Sequence, residues 1–435
     1  MKPTTLLPLV SPSLAALTGN LSILAYNVAG LPAIINDNGV PGDKAINHAI
    51  IGERFNQYDW DIIQVQEDFN YHAKLYATNS HPHRTATSGG VPFGSGLNTV
   101  ANYPWIDFER TKWDECAIGS GDCLTPKGFT VMRVRLDEGV YVDCYNLHAD
   151  AGSTPDDRAV RTTNLQQVAD KIASFSAGNA VMVFGDFNAR YTTEDENIRV
   201  FRTQEGMTDP WVELIRGGVE PEAGTQDVPD CGNPTDTMQC EEVDKIFYRG
   251  SRALSLKATE FAYASDKFLN GDDILSDHLP VEAFFDWERS NTFRQSDLFG
   301  GPHGAWFNDL PTLPSSDAKI TKIALRAGNR LDGIELTLST GQIYTHGGIG
   351  GQVLQIDLAE DEFWTYTRLC RGKHNGSTRV FYMAVETSGG NRLAVGTETE
   401  DCVEMVAEDG WAVLGLWGRD GDEIDRLGVI YGKQY

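Results

Sequence analysis

In the stretch VMVFGDFNAR (residues 181–190), apolar residues run straight into a glycine, an aspartate and an asparagine. A buried strand that ends in acid and amide groups is costly to build unless something at its tip needs oxygen ligands. The same ending recurs: ILAYN closes on Asn27, DIIQVQED on Glu67, VYVDCYNLH on His148, and VMVFGDFN on Asp186 and Asn188. Two further segments begin this way, with Asp244 opening the apolar run of EEVDKIFYR and Asp277 and His278 preceding that of LSDHLPVEAFF. Singly, each residue has a plain explanation as a turn former, a surface acid or a satisfied histidine. Ligands of open α/β sheets lie beyond strand ends, so the recurrence points to one assembled site.

The elements that would hold this site alternate short apolar runs with helical patterns from Leu21 to about Trp287, as a mixed α/β unit does. One helix is expected after TPDDR, where Val160, Leu165, Val168, Ile172 and Phe175 recur near helical spacing, and another in GDKAINHAIIGERF. After Trp287 the texture changes. KITKIALRAGN, GIELTLSTG, STRVFYMAVETSGG and WAVLGLWGRDG alternate and end in glycine-bearing turns, so an all-β unit is expected there. The expected division is an N-terminal segment 1–20, a catalytic unit 21–289, a linker 290–296 and a β unit 297–435.

The chain is 435 residues long with a formal charge of −26, which disfavours a scavenging nucleic-acid binder. It does not exclude a metal-dependent nuclease, because a bound divalent ion inverts the local sign. Of the 7 cysteines, Cys116 and Cys123, and Cys231 and Cys240, bracket short loops. Such pairs read as disulfides of a secreted protein, with unpaired cytosolic thiols as the alternative, and neither has the spacing of a zinc site. Sequons at Asn20 and Asn375 fit secretion, while MKPTTLLPLVSPSLAAL reads as a poor or trimmed signal peptide, broken by Pro8 and Pro12. No segment is long and apolar enough to span a bilayer as a helix.

The order Asn, Glu, His, Gly-Asp-x-Asn, Asp, Ser-Asp-His resembles the endonuclease/exonuclease/phosphatase superfamily over about Leu21 to Trp287. The resemblance implies a four-layered α/β/β/α sandwich that cleaves phosphoesters with Mg²⁺, Mn²⁺ and Ca²⁺ being the alternatives. On matching positions, Asn27 and Glu67 hold the metal with help from Asp277, and His278 is the general base oriented by Asp244. Asp186 and Asn188 position the water and a phosphoryl oxygen, and a protonated His148 neutralises the phosphate or assists the leaving oxygen. CLTPKGFTVMRV, NLHADAG with RAVRTTNLQQVADKI, and SGLNTVANYPW look closer to sphingomyelinase-type phospholipases C than to deoxyribonucleases. Lys127 and Arg161 are candidates for phosphate contact, or cap the helix and loop. GDFNA and the loop between Cys231 and Cys240 have a deoxyribonuclease-like form.

Beyond Ser296, LFGGPHGAWFND, HGGIGG and LWGRDGDEIDRLGVIY resemble a jacalin-related lectin, a β-prism of three sheets. Its Gly-x-x-x-Asp motif maps onto Gly421 to Asp425. By that resemblance Asp425 accepts sugar hydroxyls, backbone N–H groups at Asp422 and Glu423 donate, and Gly301 lies in the glycine-rich loop lining the site. Asp422 stands where an aromatic residue is common.

The expected protein is therefore a secreted Mg²⁺-dependent phosphodiesterase, phospholipase C-like, tethered to glycans by its lectin unit. Its substrate is a phosphoester, with a lipid head group favoured over nucleic acid, and its membrane contact is peripheral. The alternatives are an extracellular nuclease, an inositol or sugar phosphatase, and a carbohydrate-binding effector whose α/β unit is structural.

Overall fold

The computed structural model describes residues 16–119 and 121–434. The leader-like stretch expected at the start lies largely in residues 1–15, outside the described residues.

The first part runs β1 (Thr18–Asn27), α1 (Lys44–Tyr58), β2 (Ile62–Gln66), α2 (His72–Thr78), β3 (His83–Arg84), β4 (Asn98–Ala101), β5 (Trp105–Lys112), β6 (Gly128–Asp137) and β7 (Val140–His148). It continues with α3 (Pro155–Phe175), β8 (Ala180–Asp186), β9 (Asp244–Arg249), β10 (Leu254–Tyr263), β11 (Leu269–Asn270), β12 (Asp273–Ile274) and β13 (Val281–Arg289). One sheet has the order β10-β13-β1-β2-β4-β3 and a second the order β5-β6-β7-β8-β9.

Alternation along β1 shows how the layers meet, since successive side chains of a strand point to opposite faces. Leu21, Ile23 and Ala25 share a core with Val131, Val142 and Leu147 of the second sheet. Leu24, Tyr26 and Val28 pack instead with Ile51 and Phe55 of α1 and Leu75 of α2. Both expected helices are present. Asp43 caps α1 by accepting from the Ala45 N–H. Thr154 and Asp157 form a capping box with Pro155 in the first turn of α3, which buries Leu165, Val168, Ile172 and Phe175.

The second part is all β, in three antiparallel sheets around one core that includes Leu325, Leu336, Leu369, Met383, Leu416 and Leu427. The expected linker contains a strand, Phe293–Gln295, which pairs with the last strand, Ile424–Lys433. The disulfides Cys116–Cys123, Cys231–Cys240 and Cys370–Cys402 are closed, and Cys144 is free and buried.

The two parts dock through charged and aromatic contacts. Asp297 accepts from Arg135 Nη2 at 2.7 Å, Tyr141 Oη at 2.8 Å and the Gly139 N–H at 2.9 Å. Arg133 lies with its guanidinium carbon 3.8 Å from the Trp306 ring centre, and Asp107 pairs with Arg426. Arg135, Gly139 and Tyr141 sit at the end of β6 and the start of β7, whereas β7 finishes on His148. At about 3.3 Å per residue, Tyr141 and His148 are separated by about 23 Å, so the β part docks at the end of the sheet remote from the strand tips singled out by sequence.

Candidate active site

Register delivers the expected residues to one place. β1 and β2 are parallel with Asn27 opposite Gln66, one residue before Glu67. β7 and β8 are parallel with His148 opposite Asp186, and Asp186 stands opposite Asp244 of β9. Gly185 is needed because a Cβ there would lie 2.5 Å from Leu147 O, closing the β7–β8 contact just before the acid. Asn188 has φ 49° and turns back, its backbone N–H donating to Asp186 Oδ1 at 2.9 Å and its Nδ2 to Ala149 O at 3.1 Å.

The two sheets are tied at these tips. Asn27 Nδ2 donates to Asp186 Oδ2 at 3.0 Å, and Ser276 Oγ donates to Asn27 O at 2.6 Å. His278 Nδ1 is 2.7 Å from Asp244 Oδ2, and its Nε2 is 3.8 Å from Asp186 Oδ2. Burial opposes a charged imidazole, but Asp244 and Asp186 outweigh it and hold His278 well above the ordinary histidine value.

His148 differs from expectation. Its Nε2 lies 3.0 Å from Lys127 Nζ and 3.3 Å from Asp186 Oδ2. Complete burial, and then the Lys127 charge, push its pKa down to about 3, so it is neutral at pH 7. The cation at this position is Lys127, whose ammonium is ion-paired with Asp122. Asp122 escaped the sequence reading. Its only signal is its place beside Cys123 in the disulfide loop, and loop contacts leave no periodicity.

Arg161 also differs from a phosphate-contact role. It is 2% exposed, pairs with Glu196, and donates to Asp150 O and Gly152 O, so it pins α3 to the loop after His148. Lys44 was another omission. Its Nζ donates to Ala29 O, Leu31 O, Asn36 O and Asn38 Oδ1, stapling the loop after Asn27. Asn38 in turn donates to Asp277 Oδ2 at 2.9 Å, and Asp277 is exposed at the rim.

The donor set suits a hard cation. Among the described residues Glu67 Oε2 is buried without a partner, and the residue holds a left-handed backbone at φ 54°, a strain that persists only where the surroundings enforce it. Burial raises its pKa, with Lys127 and His278 acting against the rise. Among the described residues Asn27 Oδ1 accepts only the Ala29 N–H, at 3.1 Å, leaving a lone pair. An orphaned carboxylate oxygen and an under-used amide oxygen, carried at the ends of two adjacent parallel strands, fit Mg²⁺ better than a softer metal. Asp186, Asp244 and His278 also bring ligand atoms within 4.8 Å of one another, but His278 Nδ1 is already engaged by Asp244.

In the β part, Gly301 donates its N–H to Asp425 O at 2.7 Å, so the glycine loop and the Gly421–Asp425 turn meet. Gly421 and Asp422 are exposed. Asp425 is 3% exposed with Arg379 against its Oδ1, which departs from an open acceptor for two sugar hydroxyls. Glu423 is paired with Arg330 and Arg379.

Residues 43–219 match the family model for Endonuclease/Exonuclease/phosphatase family 2, and residues 296–430 that for the Jacalin-like lectin domain. A sphingomyelinase of Mycobacterium bovis is 38% identical over 285 residues, covering 63% of this chain and 54% of that protein. The chain thus spans about half the length of the curated relatives it matches. The structure of a beta toxin from Staphylococcus aureus aligns at 16% identity and TM-score 0.41, covering 60% of this chain and 99% of that one. That of a Malaysian banana lectin aligns at 21% identity and TM-score 0.29, covering 32% and 97%.

Proposed function

We propose, for a chain that joins an endonuclease/exonuclease/phosphatase family 2 domain to a jacalin-like lectin domain, that it is a divalent-metal-dependent phosphodiesterase of the sphingomyelinase type. The observation that carries the reading is the buried, unpartnered Glu67 Oε2, one residue past the Gln66 that stands opposite Asn27 and within electrostatic reach of His278 and Asp186. Packing of β1 between α1 and the second sheet supports the four-layer α/β/β/α arrangement expected from the resemblance.

Glu67 and Asn27 would hold the cation, Mg²⁺ by preference, with Asp277 at the rim. When bound, it supplies charge to a phosphoryl oxygen and cancels part of the acidity that keeps His278 protonated. His278 Nε2 takes the proton of the attacking water, and Asp244 fixes the ring through Nδ1. Asn188 and Asp186 orient water and phosphoryl group, and Lys127 stabilises the negative charge that grows at phosphorus. Neutral His148, held by Lys127, is a hydrogen-bonding wall of the site rather than its cation.

A lipid substrate is favoured over nucleic acid by the rim. Ile34 is 96% exposed, Ile35 63%, Phe93 84%, Ile118 87% and Leu124 72%. Their loops are joined to the site: Asn38 bonds Asp277, a Cβ on Gly96 would lie 3.1 Å from Glu67 Cα, and Asp122 pairs with Lys127. Apolar tips around a phosphoester site suit a bilayer surface whose head groups enter the pocket. The disulfides support an oxidising, extracellular setting, and the second domain supports targeting to glycans.

The decisive assay compares metal-stripped and Mg²⁺-loaded protein on sphingomyelin vesicles, plasmid DNA and inositol phosphates. Mg²⁺-dependent release of the phosphorylated head group is expected. Activity confined to DNA or inositol phosphates would transfer the reading to a nuclease or phosphatase. Inactivity on all of them would leave the carbohydrate-binding effector.

A further inference from the structure

The glycine loop, the 374–377 hairpin tip and the Gly421–Asp425 turn enclose a charge arrangement that a site for neutral sugars does not need. Arg379 Nη1 lies 2.6 Å from Asp425 Oδ1, yet Oδ1 receives no aligned hydrogen bond, so the contact is an ion pair off the N–H axis. The guanidinium is held elsewhere: Nε donates to Glu423 Oε1 at 2.9 Å and Nη1 to Thr378 O at 3.1 Å. Glu423 Oε2 takes Arg330 Nε, and Arg330 Nη1 lies 3.4 Å from His374 Nδ1.

Both arginines are thus anchored through Nε, their side chains 19% and 22% exposed. Among the described residues, neither Nη2 group has a hydrogen-bond partner. The acids behind them are already engaged, Glu423 by both guanidiniums and Asp425 by Arg379. The glycine loop presses on the same carboxylate, since a Cβ on Gly304 would lie 2.6 Å from Asp425 Oδ2. Arg379 stands against Asp425 Oδ1, so a neutral sugar competes with it for that oxygen and finds Oδ2 alone uncontested by a guanidinium. An oxyanion meets the free Nη2 donors without displacing anything, in the planar geometry guanidinium offers to carboxylate, sulfate or phosphate.

We propose that this site selects saccharides bearing an oxyanion, with Arg379 as the specificity-determining residue and Arg330 beside it. The inference rests on the lectin reading of the second domain. Its test is titration calorimetry of the full chain with matched pairs: galactose and galacturonate, glucose and glucuronate, glucose and glucose 6-phosphate.

The anionic member of each pair is expected to bind at least about tenfold tighter at low salt, with the gap shrinking toward about 0.5 M salt as screening takes hold. Arg379→Gln should erase the gap, and Arg379→Lys should keep part of it, having charge without the fork. Should Arg379→Gln fail to fold, Arg330→Gln and Arg379→Lys carry the comparison. Equal binding of both members by the unaltered protein, or equal weakening of both by Arg379→Gln, overturns the anionic selectivity and leaves the lectin reading standing. Absence of binding to every sugar, neutral or anionic, removes the lectin reading itself.

Discussion

Asn27 Nδ2 lies 3.0 Å from Asp186 Oδ2, so the amide that closes one sheet clasps the acid that closes the other. Asn27 also stands opposite Gln66, one residue before Glu67, so under the proposed reading it would be both a clamp between the sheets and a metal donor. Asn27→Ala should weaken Mg²⁺ binding by about 10- to 100-fold, the scale seen when groups that orient metal ligands are removed. Titrating activity against Mg²⁺ checks this, and an unchanged half-saturation point would rule out the donor role.

Glu67 makes a prediction that needs no substrate. Burial raises its folded-state pKa, so without metal its charge opposes folding. The penalty is absent below the unfolded-state pKa and fully developed above the raised one. Metal-free Glu67→Gln should therefore melt higher than the unaltered protein at pH 7, and the difference should vanish as pH falls. Added Mg²⁺ should raise the melting temperature of the unaltered protein and not that of the variant.

His278 and Asp244 act as a pair at 2.7 Å. His278→Ala should lower turnover by about two to four orders of magnitude with the fold intact, as expected for loss of a general base. Asp244→Asn, which keeps the shape but not the charge behind Nδ1, should shift the acid limb of the pH–rate profile to lower pH. Turnover of His278→Ala within a few-fold of the unaltered enzyme would take the residue out of the mechanism.

The apolar rim predicts a split between assays. Phe93→Ser and Ile34→Ser should reduce hydrolysis on vesicles by at least about tenfold each, because burying one large apolar side chain contributes about 1.5–3 kcal/mol. Turnover of a short-chain soluble substrate should change far less. Equal losses in both assays would mean that the loops shape the pocket rather than dock on lipid.

The series from Asn27 to His278 was legible because strands must end somewhere, and an apolar run that stops on an acid, amide or imidazole records that end in the chain itself. The capping signals of α3 and the glycine-punctuated texture beyond Trp287 are local in the same sense. What no local signal carried was which loops approach one another. Asp122 reaches Lys127 and the neutral state of His148 follows from that neighbour and from burial; Arg161, polar and helical in sequence, is spent on Glu196 and two carbonyls. The stretch read as a linker holds a strand, because the final strand offered it a hydrogen-bonding edge. Residue types and strand ends determined the chemistry the chain can attempt. Tertiary packing alone decided the charge each group carries, because solvation and Coulomb energy depend on distance in space and not on distance along the chain.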